Sequence, residues 1–272
     1  TACAMHSDMA KTGEFHCSNE KVNQLQSNIS WGLRDNFFDI PTDCPQRDER
    51  LGWMGDAQIF SWTAAFNRNT ARFFTKWMRD ISAESSLEKG VPHVVPDLIG
   101  NYSSAAWSDA AVIIPWVVYQ TYGDMRILEE SWKCMHEWVD YIQDKTNENG
   151  LWMSGYQYGD WLALDREEGD SSVGATDIYF VANAYYLYVT NLVQQTAAAL
   201  GKKKDADYYQ TLYERTLKSF QAEYFTSRGR IVSETQTGCV LALYFHLAKE
   251  KDRSSILKAL SANIENHKNH LT

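Results

Sequence analysis

Four carboxylates, two guanidinium groups and one indole lie within residues 43–56, a stretch of only fourteen residues. Cleavage of a glycosidic bond needs one carboxyl group that carries a proton and another that stays ionised. Neighbouring carboxylates, arginines and an aromatic ring can move the two pKa values apart. The segment therefore has the composition of a carbohydrate site. A surface network of ion pairs around a tight turn is the alternative, since it uses the same residue types.

The same segment predicts where a helix begins. Residues 41–55 contain too much proline and glycine for a helix interior, because proline lacks an amide donor and glycine loses much backbone freedom. A helix is therefore expected to begin near Gly55 or Asp56 and to continue through Phe66. Asp56 would lie in its first turn, where the helix dipole favours a carboxylate.

Spacing inside the segment relates its charged and aromatic side chains. Asp43 and Arg47 are four residues apart, as are Glu49 and Trp53. If the segment is locally helical, the two members of each pair meet on one face.

A second candidate is Trp107-Ser108-Asp109, which opens a helix predicted over 106–121. The simple interpretation is a helix start, with Ser108 or Asp109 as the N-cap and Trp107 as a hydrophobic staple. His93, between two prolines in an extended segment, suits either a cleft or a structural role.

A third candidate occupies residues 158–162, within a glycine-rich connector. Asp160 beside Trp161 suits sugar recognition, because the carboxylate binds hydroxyls and the ring stacks on a sugar face. A structural turn is the alternative. Glu167 and Glu168, further along, are typical of a solvated run of charge.

Helical periodicity dominates the chain, and no run alternates as a strand would. Ser18 is expected to cap the first helix, and Asp124 a later one. The apolar face of the first helix is formed by Val22, Leu25, Ile29 and Leu33. About nine helices are predicted, the later ones over residues 57–66, 69–86, 106–121, 124–145, 175–199, 204–224, 237–248 and 252–266.

The bulk composition argues against several classes of protein. A net charge of −9 disfavours a nucleic-acid surface, which needs a basic face. The longest apolar stretch, 110–119, is interrupted by Pro115 and is far shorter than the roughly 20 residues that cross a bilayer. Five scattered cysteines indicate neither zinc nor a disulfide framework. We therefore expect no nucleic-acid partner, no membrane segment, no cofactor and no metal.

Residues 41–58 closely resemble the signature of the bacterial α-L-rhamnosidases of glycoside hydrolase family 78. Further segments match the family in the same order, at 7–15, 91–97, 106–110 and 159–162. The resemblance thus covers nearly the whole chain, and the long motif is its most specific part.

The resemblance implies an all-α fold, an (α/α)6 barrel, and an enzyme that removes terminal α-L-rhamnose by inversion. The implied substrate is a rhamnose-containing oligosaccharide or glycoside. By motif position Glu49 would be the general acid. The residues implied to bind the substrate are Asp43, Arg47, Trp53, Asp56, Trp107, Asp160 and Trp161.

Several expectations concern the extent of the chain. The family takes its general base from a tryptophan- and glutamate-rich segment near the end of the barrel, and nothing similar follows residue 235. The first residues resemble the middle of a strand of a preceding β-domain, so we expect residues 1–14 to be the end of that domain and a linker. Residues 15–272 would be a catalytic barrel truncated before its last helices. Such a fragment need not be active on its own.

Two other functions stay open at this point. One is an inverting (α/α)6 glycosidase for a different sugar, because one fold hosts several chemistries. The other is a non-catalytic rhamnose-binding fragment, because the base is missing. Uncovered apolar faces on the first and last helices would favour a homo-oligomer. The sequence does not decide between the bacterial cytoplasm and the periplasm or exterior, and shows no signal peptide.

Overall fold

The computed structural model describes residues 3–100, 103–166 and 172–272, and α-helices dominate it as the periodicity predicts. Glu167 and Glu168 lie outside the described residues. Nine α-helices and two short strands occur in the described part of the chain. In chain order they are α1 (Glu20–Asn36), β1 (Phe37–Phe38), β2 (Ile40–Pro41), α2 (Met54–Asn67), α3 (Ala71–Glu84), α4 (Ala110–Tyr122), α5 (Arg126–Asp144), α6 (Ile178–Ala199), α7 (Lys203–Tyr224), α8 (Gln236–Tyr244) and α9 (Arg253–Asn266).

Side-chain hydrogen bonds test the two helix caps that the sequence predicts. The side chain of Asn19 accepts a hydrogen bond from the backbone N–H of Lys21, so Asn19 caps α1 and the predicted cap, Ser18, is wrong by one residue. Asp124 accepts the backbone N–H of Arg126 at 3.0 Å, which confirms the predicted cap of α5. Caps of this kind stabilise a helix by about 1 kcal/mol each.

Contacts between residues divide the chain into two compact units. The first comprises Thr1–Ser103 with Trp107–Trp138, and the second comprises Ser104–Ala106 with Val139–Thr272. The chain passes from the first unit to the second within α5, between Trp138 and Val139. The predicted domain boundary at residue 14 stays a prediction.

Aromatic side chains fill the core of the first unit. The ring of Phe37 stacks on that of Phe73 with their centroids 4.6 Å apart. Trp77 of α3 is fully buried and donates from Nε1 to the backbone oxygen of Val95 at 3.1 Å. Burial of each large ring contributes roughly 1.5–3 kcal/mol. The hydrogen bond also attaches the proline-rich connector, at Val95, to α3.

The two strands form a hairpin of two residues on each side. Phe37 pairs with Pro41 and Phe38 with Ile40, antiparallel. Asp39 at the turn has a φ of 67°, in the left-handed region that aspartate enters more readily than most residues. Strands this short show no alternation, so the periodicity could not predict them.

Helices α6 and α7 build the core of the second unit. Phe180 packs against Phe220 and Tyr224, with ring centroids 5.2 and 5.1 Å apart. Asn183 of α6 holds the chain at Trp152: its Oδ1 accepts the Trp152 N–H at 2.8 Å, and its Nδ2 donates to the Trp152 oxygen at 3.0 Å. The start of the glycine-rich connector is therefore attached to a buried helix.

Some apolar side chains of α1 face solvent. Leu25 is 56% exposed, Val22 is exposed as well, and Leu33 is buried. Across residues 3–100, 103–166 and 172–272, no helix has both the length and the apolar character needed to cross a bilayer.

Candidate active site

Asp43 and Leu51 close a loop in the first unit. The backbone N–H of Leu51 donates to Asp43 Oδ1 at 2.9 Å, and the N–H of Asp43 donates to the oxygen of Leu51 at 3.0 Å. A side-chain oxygen that accepts a loop N–H replaces the partner that regular structure would supply. Asp43 therefore supports the loop directly.

Both carboxyl oxygens of Glu49 accept hydrogen bonds. Arg47 Nη2 lies 2.6 Å from Oε2, and Trp53 Nε1 donates to Oε1 at 2.9 Å. The predicted meeting of Glu49 and Trp53 is confirmed, although the segment is a turn followed by extended chain and not a helix. Arg47 forms its ion pair with Glu49, while Asp43 faces Leu51.

An extended connector supports the backbone beside Trp53. Trp53 and Val94 form an antiparallel bridge, and the N–H of Val95 donates to the oxygen of Gly52 at 3.0 Å. A Cβ atom at Gly52 would collide with the backbone oxygen of Val95, so this close approach requires glycine. The indole that holds Glu49 is thus fixed through its main chain.

His93 belongs to the same connector and is structural. His93 is 2% exposed, and its backbone oxygen accepts the N–H of Met54 at 2.9 Å. Burial lowers the pKa of His93 from 6.5 to about 4, so the ring is neutral at pH 7. The structure therefore supports the structural interpretation of His93 and not a place on the surface of a cleft.

Asp56 lies in the first turn of α2, as predicted. The helix begins at Met54, one residue before the predicted start, and ends at Asn67. The Asp56 carboxyl group reaches solvent but is surrounded by protein atoms, and this partial desolvation raises its pKa. The negative charges of Asp43 and Glu49 raise it further. Asp56 is thus an accessible acceptor. The hydroxyl group of a ligand can donate to it in place of the water molecules that the surrounding protein excludes.

Trp107 packs against Gly55 in the first turn of α2. A Cβ atom at position 55 would lie 2.6 Å from Cε2 of the indole, closer than carbon atoms approach one another. Glycine at position 55 therefore lets the indole approach the first turn of α2 closely. The structure brings Trp107 to the same part of the first unit as the long motif.

Ser108 and Asp109 hold Trp107 in place from the chain side. The hydroxyl of Ser108 donates to the oxygen of Val91 at 2.7 Å, and Trp138 Nε1 donates to Asp109 Oδ1 at 2.7 Å. Asp109 stands at the N-cap of α4 without a side-chain capping bond. The interpretation of Ser108 or Asp109 as a side-chain cap is wrong, because both side chains are used in buried tertiary contacts.

Asp43, Cys44 and Glu49 each bring one donor atom to within 4.8 Å of the others, a grouping that could hold a metal ion. Leu51 already donates to Asp43, and Arg47 to Glu49. Burial, followed by a hydrogen bond to Asp43, raises the pKa of the Cys44 thiol, which favours the protonated form that binds metals poorly. That the site needs no metal stays a prediction.

Asp160 lies in the second unit and is held by a residue far along the chain. Thr237 Oγ1 donates to Asp160 Oδ2 at 2.6 Å, and the backbone oxygen of Asp160 accepts the N–H of Gly174 at 2.8 Å. Burial raises the pKa of Asp160, and the hydrogen bond from Thr237 lowers it in part. The hydrogen bond from Thr237 orients the carboxylate, and none of the described residues donates a hydrogen bond to its Oδ1.

The ring of Trp161 belongs to a series of contacts between three aromatic residues that lie close together in the sequence. Its ring meets Tyr158 edge-on at 5.2 Å, and Tyr158 meets Tyr156 edge-on at 5.0 Å. Trp161 also forms a bridge with Val173, which anchors its main chain. Burial raises the pKa of Tyr158 to about 12, so its hydroxyl stays protonated.

The sequence did not single out Thr237, Gly55 or Tyr156 as parts of a site. Thr237 lies 77 residues from Asp160, and no local pattern connects two positions so far apart. Gly55 carried a signal, since it separates two site candidates in the motif, Trp53 and Asp56. Its contact with Trp107 needed coordinates.

Residues 10–272 match the family model described as the bacterial alpha-L-rhamnosidase 6 hairpin glycosidase domain. An alpha-L-rhamnosidase of Formosa agariphila is 40% identical over 98% of this chain. The solved alpha-L-rhamnosidase of Aspergillus terreus superposes with a TM-score of 0.91 at 40% identity over 96% of the chain. That of Streptomyces avermitilis, solved with L-rhamnose, gives 0.89 at 36% identity over 98%.

The chain spans less than a third of each of these relatives. It covers 29% of the Formosa protein, 31% of the Aspergillus structure and 25% of the Streptomyces structure. The family match and the superpositions confirm the predicted fold class, which is all-α and of the (α/α)6-barrel type. That the barrel is incomplete at its C-terminal end stays a prediction.

Proposed function

Because this chain belongs to the bacterial α-L-rhamnosidase six-hairpin glycosidase family, we propose that the protein hydrolyses terminal α-L-rhamnosides. The observation that carries the proposal is the setting of Glu49, whose two oxygens are held by Arg47 and Trp53. A carboxyl group oriented by an indole and a guanidinium beside further carboxylates suits proton transfer to a sugar oxygen.

We assign the role of proton donor to Glu49. As the bond from the anomeric carbon to the leaving oxygen breaks, Glu49 gives its proton to that oxygen. A water molecule adds to the anomeric carbon from the opposite face and loses its proton to a second carboxylate, which inverts the anomeric configuration.

Asp43 is unsuited to be that second carboxylate. One of its oxygens lies within 4.8 Å of a Glu49 oxygen, whereas inverting pairs stand about 6.5–9.5 Å apart to leave room for water. Its Oδ1 is also committed to Leu51. That the general base lies outside these 272 residues stays a prediction.

The ion pair of Glu49 with Arg47 must open before proton transfer. Glu49 must carry a proton in that step, and a neutral carboxyl group cannot keep the ion pair with Arg47. Hydroxyl groups of a bound rhamnose can take over the donors of Arg47 and release Glu49. Substrate binding would thereby bring the acid into its active form.

The other assigned residues bind the sugar. Asp56, partly desolvated and still accessible, is suited to accept hydrogen bonds from rhamnose hydroxyls. Trp53 and Trp107 offer apolar faces for the C–H groups and the methyl group of rhamnose. Asp160 and Trp161, an acceptor beside a ring within the second unit, stay predicted to bind substrate.

The test uses the complete protein with an aryl α-L-rhamnoside. Release of rhamnose whose first-formed anomer is β, followed by proton NMR, is the expected result. A first-formed α anomer would refute inversion. Faster turnover of other aryl glycosides in a panel would identify a different sugar, and binding of L-rhamnose without turnover would identify a binding module.

The exposed apolar side chains on α1 support a further proposal, that copies of the chain associate. Sedimentation of the protein and of its Leu25→Lys variant tests it. A monomer at all concentrations in both proteins would refute it.

A further inference from the structure

A short series of contacts within the first unit joins Trp77 of α3 to Glu49. The buried indole of Trp77 donates from Nε1 to the backbone oxygen of Val95 at 3.1 Å, and the N–H of Val95 donates to the oxygen of Gly52 at 3.0 Å. Trp53, the next residue, donates from its own Nε1 to Glu49 Oε1 at 2.9 Å. A single residue, Val95, therefore connects α3 to the indole that orients the assigned proton donor.

The connector of residues 91–97 holds the main chain on both sides of Trp53. Val95 binds the residue before Trp53, and the backbone oxygen of His93 accepts the N–H of Met54, the residue after it, at 2.9 Å. Between these two bonds the main chain of Trp53 pairs with the connector in an antiparallel bridge. The position of the Trp53 indole therefore follows that of the connector.

Two side chains of α3 anchor the connector in turn. Trp77 binds it at Val95, and Glu84 accepts the N–H of Asp97 on its Oε2 at 2.6 Å. Trp77 and Glu84 are seven residues apart, about two helical turns, so both lie on one face of α3. The oxygen that Trp77 binds also lies so close to Gly52 that a Cβ atom there would collide with it. A shift of this oxygen would therefore displace the main chain just before Trp53.

We propose that Trp77 is a positioning residue for proton transfer from Glu49. The proposal rests on the function proposed above, in which Glu49 protonates the leaving oxygen. Without the Nε1 donor of Trp77, the oxygen of Val95 loses its partner, and a buried carbonyl without a partner is costly. The connector would shift to find another donor, and Trp53 would move with it. Proton transfer is sensitive to such a movement, because a misplacement of about 1 Å can cost on the order of 100-fold in rate.

The test compares Trp77→Phe with the wild type in the complete enzyme, on two substrates. One is 4-nitrophenyl α-L-rhamnoside, whose leaving group needs little protonation, and the other is a disaccharide of α-L-rhamnose on D-glucose, whose leaving group needs a proton. We expect kcat to decrease about tenfold on the disaccharide and less than about twofold on the aryl rhamnoside. A smaller amount of folded enzyme would lower both values by the same factor.

A second replacement removes the donor and keeps the shape of the side chain. At position 77, 3-benzothienylalanine has a sulfur atom in place of the indole N–H, and it should give the same unequal losses as Trp77→Phe. Ile81→Ala is the matched control, because Ile81 is fully buried on the same helix and its change removes no donor. It should lower the unfolding temperature without changing the ratio of the two kcat values.

A double variant shows whether Trp77 acts through Glu49. In Glu49→Gln the side chain has no proton to place, so the addition of Trp77→Phe should cause little further loss on the disaccharide. Losses that multiply in the double variant would show that Trp77 acts elsewhere.

The possible outcomes separate this inference from the proposed function. Equal losses on both substrates, or full activity of the benzothienyl variant on the disaccharide, would overturn the role of Trp77 and leave the proposed function intact. A wild-type enzyme that hydrolyses no rhamnoside would refute the proposed function, and the role of Trp77 with it.

Discussion

Arg47 Nη2 lies 2.6 Å from Oε2 of Glu49, so the carboxyl group assigned as proton donor is held in an ion pair. The guanidinium is mostly exposed and the carboxyl group is more enclosed, which leaves Arg47 free to swing toward a ligand. Arg47 therefore restrains the proposed acid and is at the same time accessible to a ligand.

Replacement of Arg47 by alanine should lower kcat/KM about 10- to 100-fold, because one charge-assisted hydrogen bond to the sugar is lost. Steady-state kinetics on an aryl rhamnoside measure the effect. Arg50→Ala is the matched control, since Arg50 pairs with the fully exposed Asp48 and should tolerate the change. Equal losses in the two variants would contradict the assignment.

Glu49→Gln should lower kcat about 100- to 10,000-fold on a substrate with a poor leaving group, because the amide has no proton to give. A good leaving group needs less protonation, so the loss on an activated aryl rhamnoside should be smaller. Asp48→Asn, which changes the neighbouring exposed carboxylate, is the control. Near-normal turnover of the poor substrate by Glu49→Gln would remove Glu49 from the acid role.

Gly55→Ala should displace the Trp107 indole, since the new methyl group would occupy its position. We expect a lower kcat/KM and a shift in tryptophan fluorescence. Gly32→Ala, on α1, meets no atom within 4 Å and should stabilise the helix by about 0.5–1 kcal/mol. Thermal unfolding compares both variants. Unchanged activity and fluorescence in Gly55→Ala would show that Trp107 lies elsewhere.

Stability should decrease as the pH falls through the range set by His93. Its pKa is about 4 in the folded chain and 6.5 when unfolded, so between these values the unfolded state binds the extra proton. The contribution is present above pH 6.5 and is lost as the pH approaches 4. His93→Leu should flatten this part of a plot of unfolding temperature against pH. An unchanged plot would contradict the neutral, buried state of His93.

Thr237→Val should weaken sugar binding, because Asp160 loses the donor that orients it and its pKa rises further. A rise in KM with little change in kcat is expected if Asp160 binds substrate and transition state equally. Thr237→Ser keeps the hydroxyl and should restore binding. Equal KM values for the valine variant and the wild type would remove Thr237 from the site.

The sequence predicted best what depends on neighbouring residues. Helix α2 was placed within a residue or two at each end because proline and glycine stop abruptly before an apolar run. The contact of Glu49 with Trp53 followed from their spacing, although the helix assumed for it is absent.

Contacts over long stretches of chain could not be predicted in the same way. Asp109 looked like a helix cap because its neighbours are a serine and an apolar run, yet Trp138, 29 residues later, takes its carboxylate. Thr237 looked like an ordinary residue near the start of a helix, and only the fold brings it to Asp160. Such partners are chosen by packing and leave no periodicity.

The reciprocal bonds between Asp43 and Leu51 have a consequence for inheritance. These bonds fix both ends of one loop. An insertion or deletion between Asp43 and Leu51 would therefore disturb the contacts of Glu49 with both Arg47 and Trp53. Substitutions at the tip, such as those at Asp48 or Arg50, leave the closure intact. In descendants of this gene the number of residues between Asp43 and Leu51 should therefore change more rarely than their chemical identity.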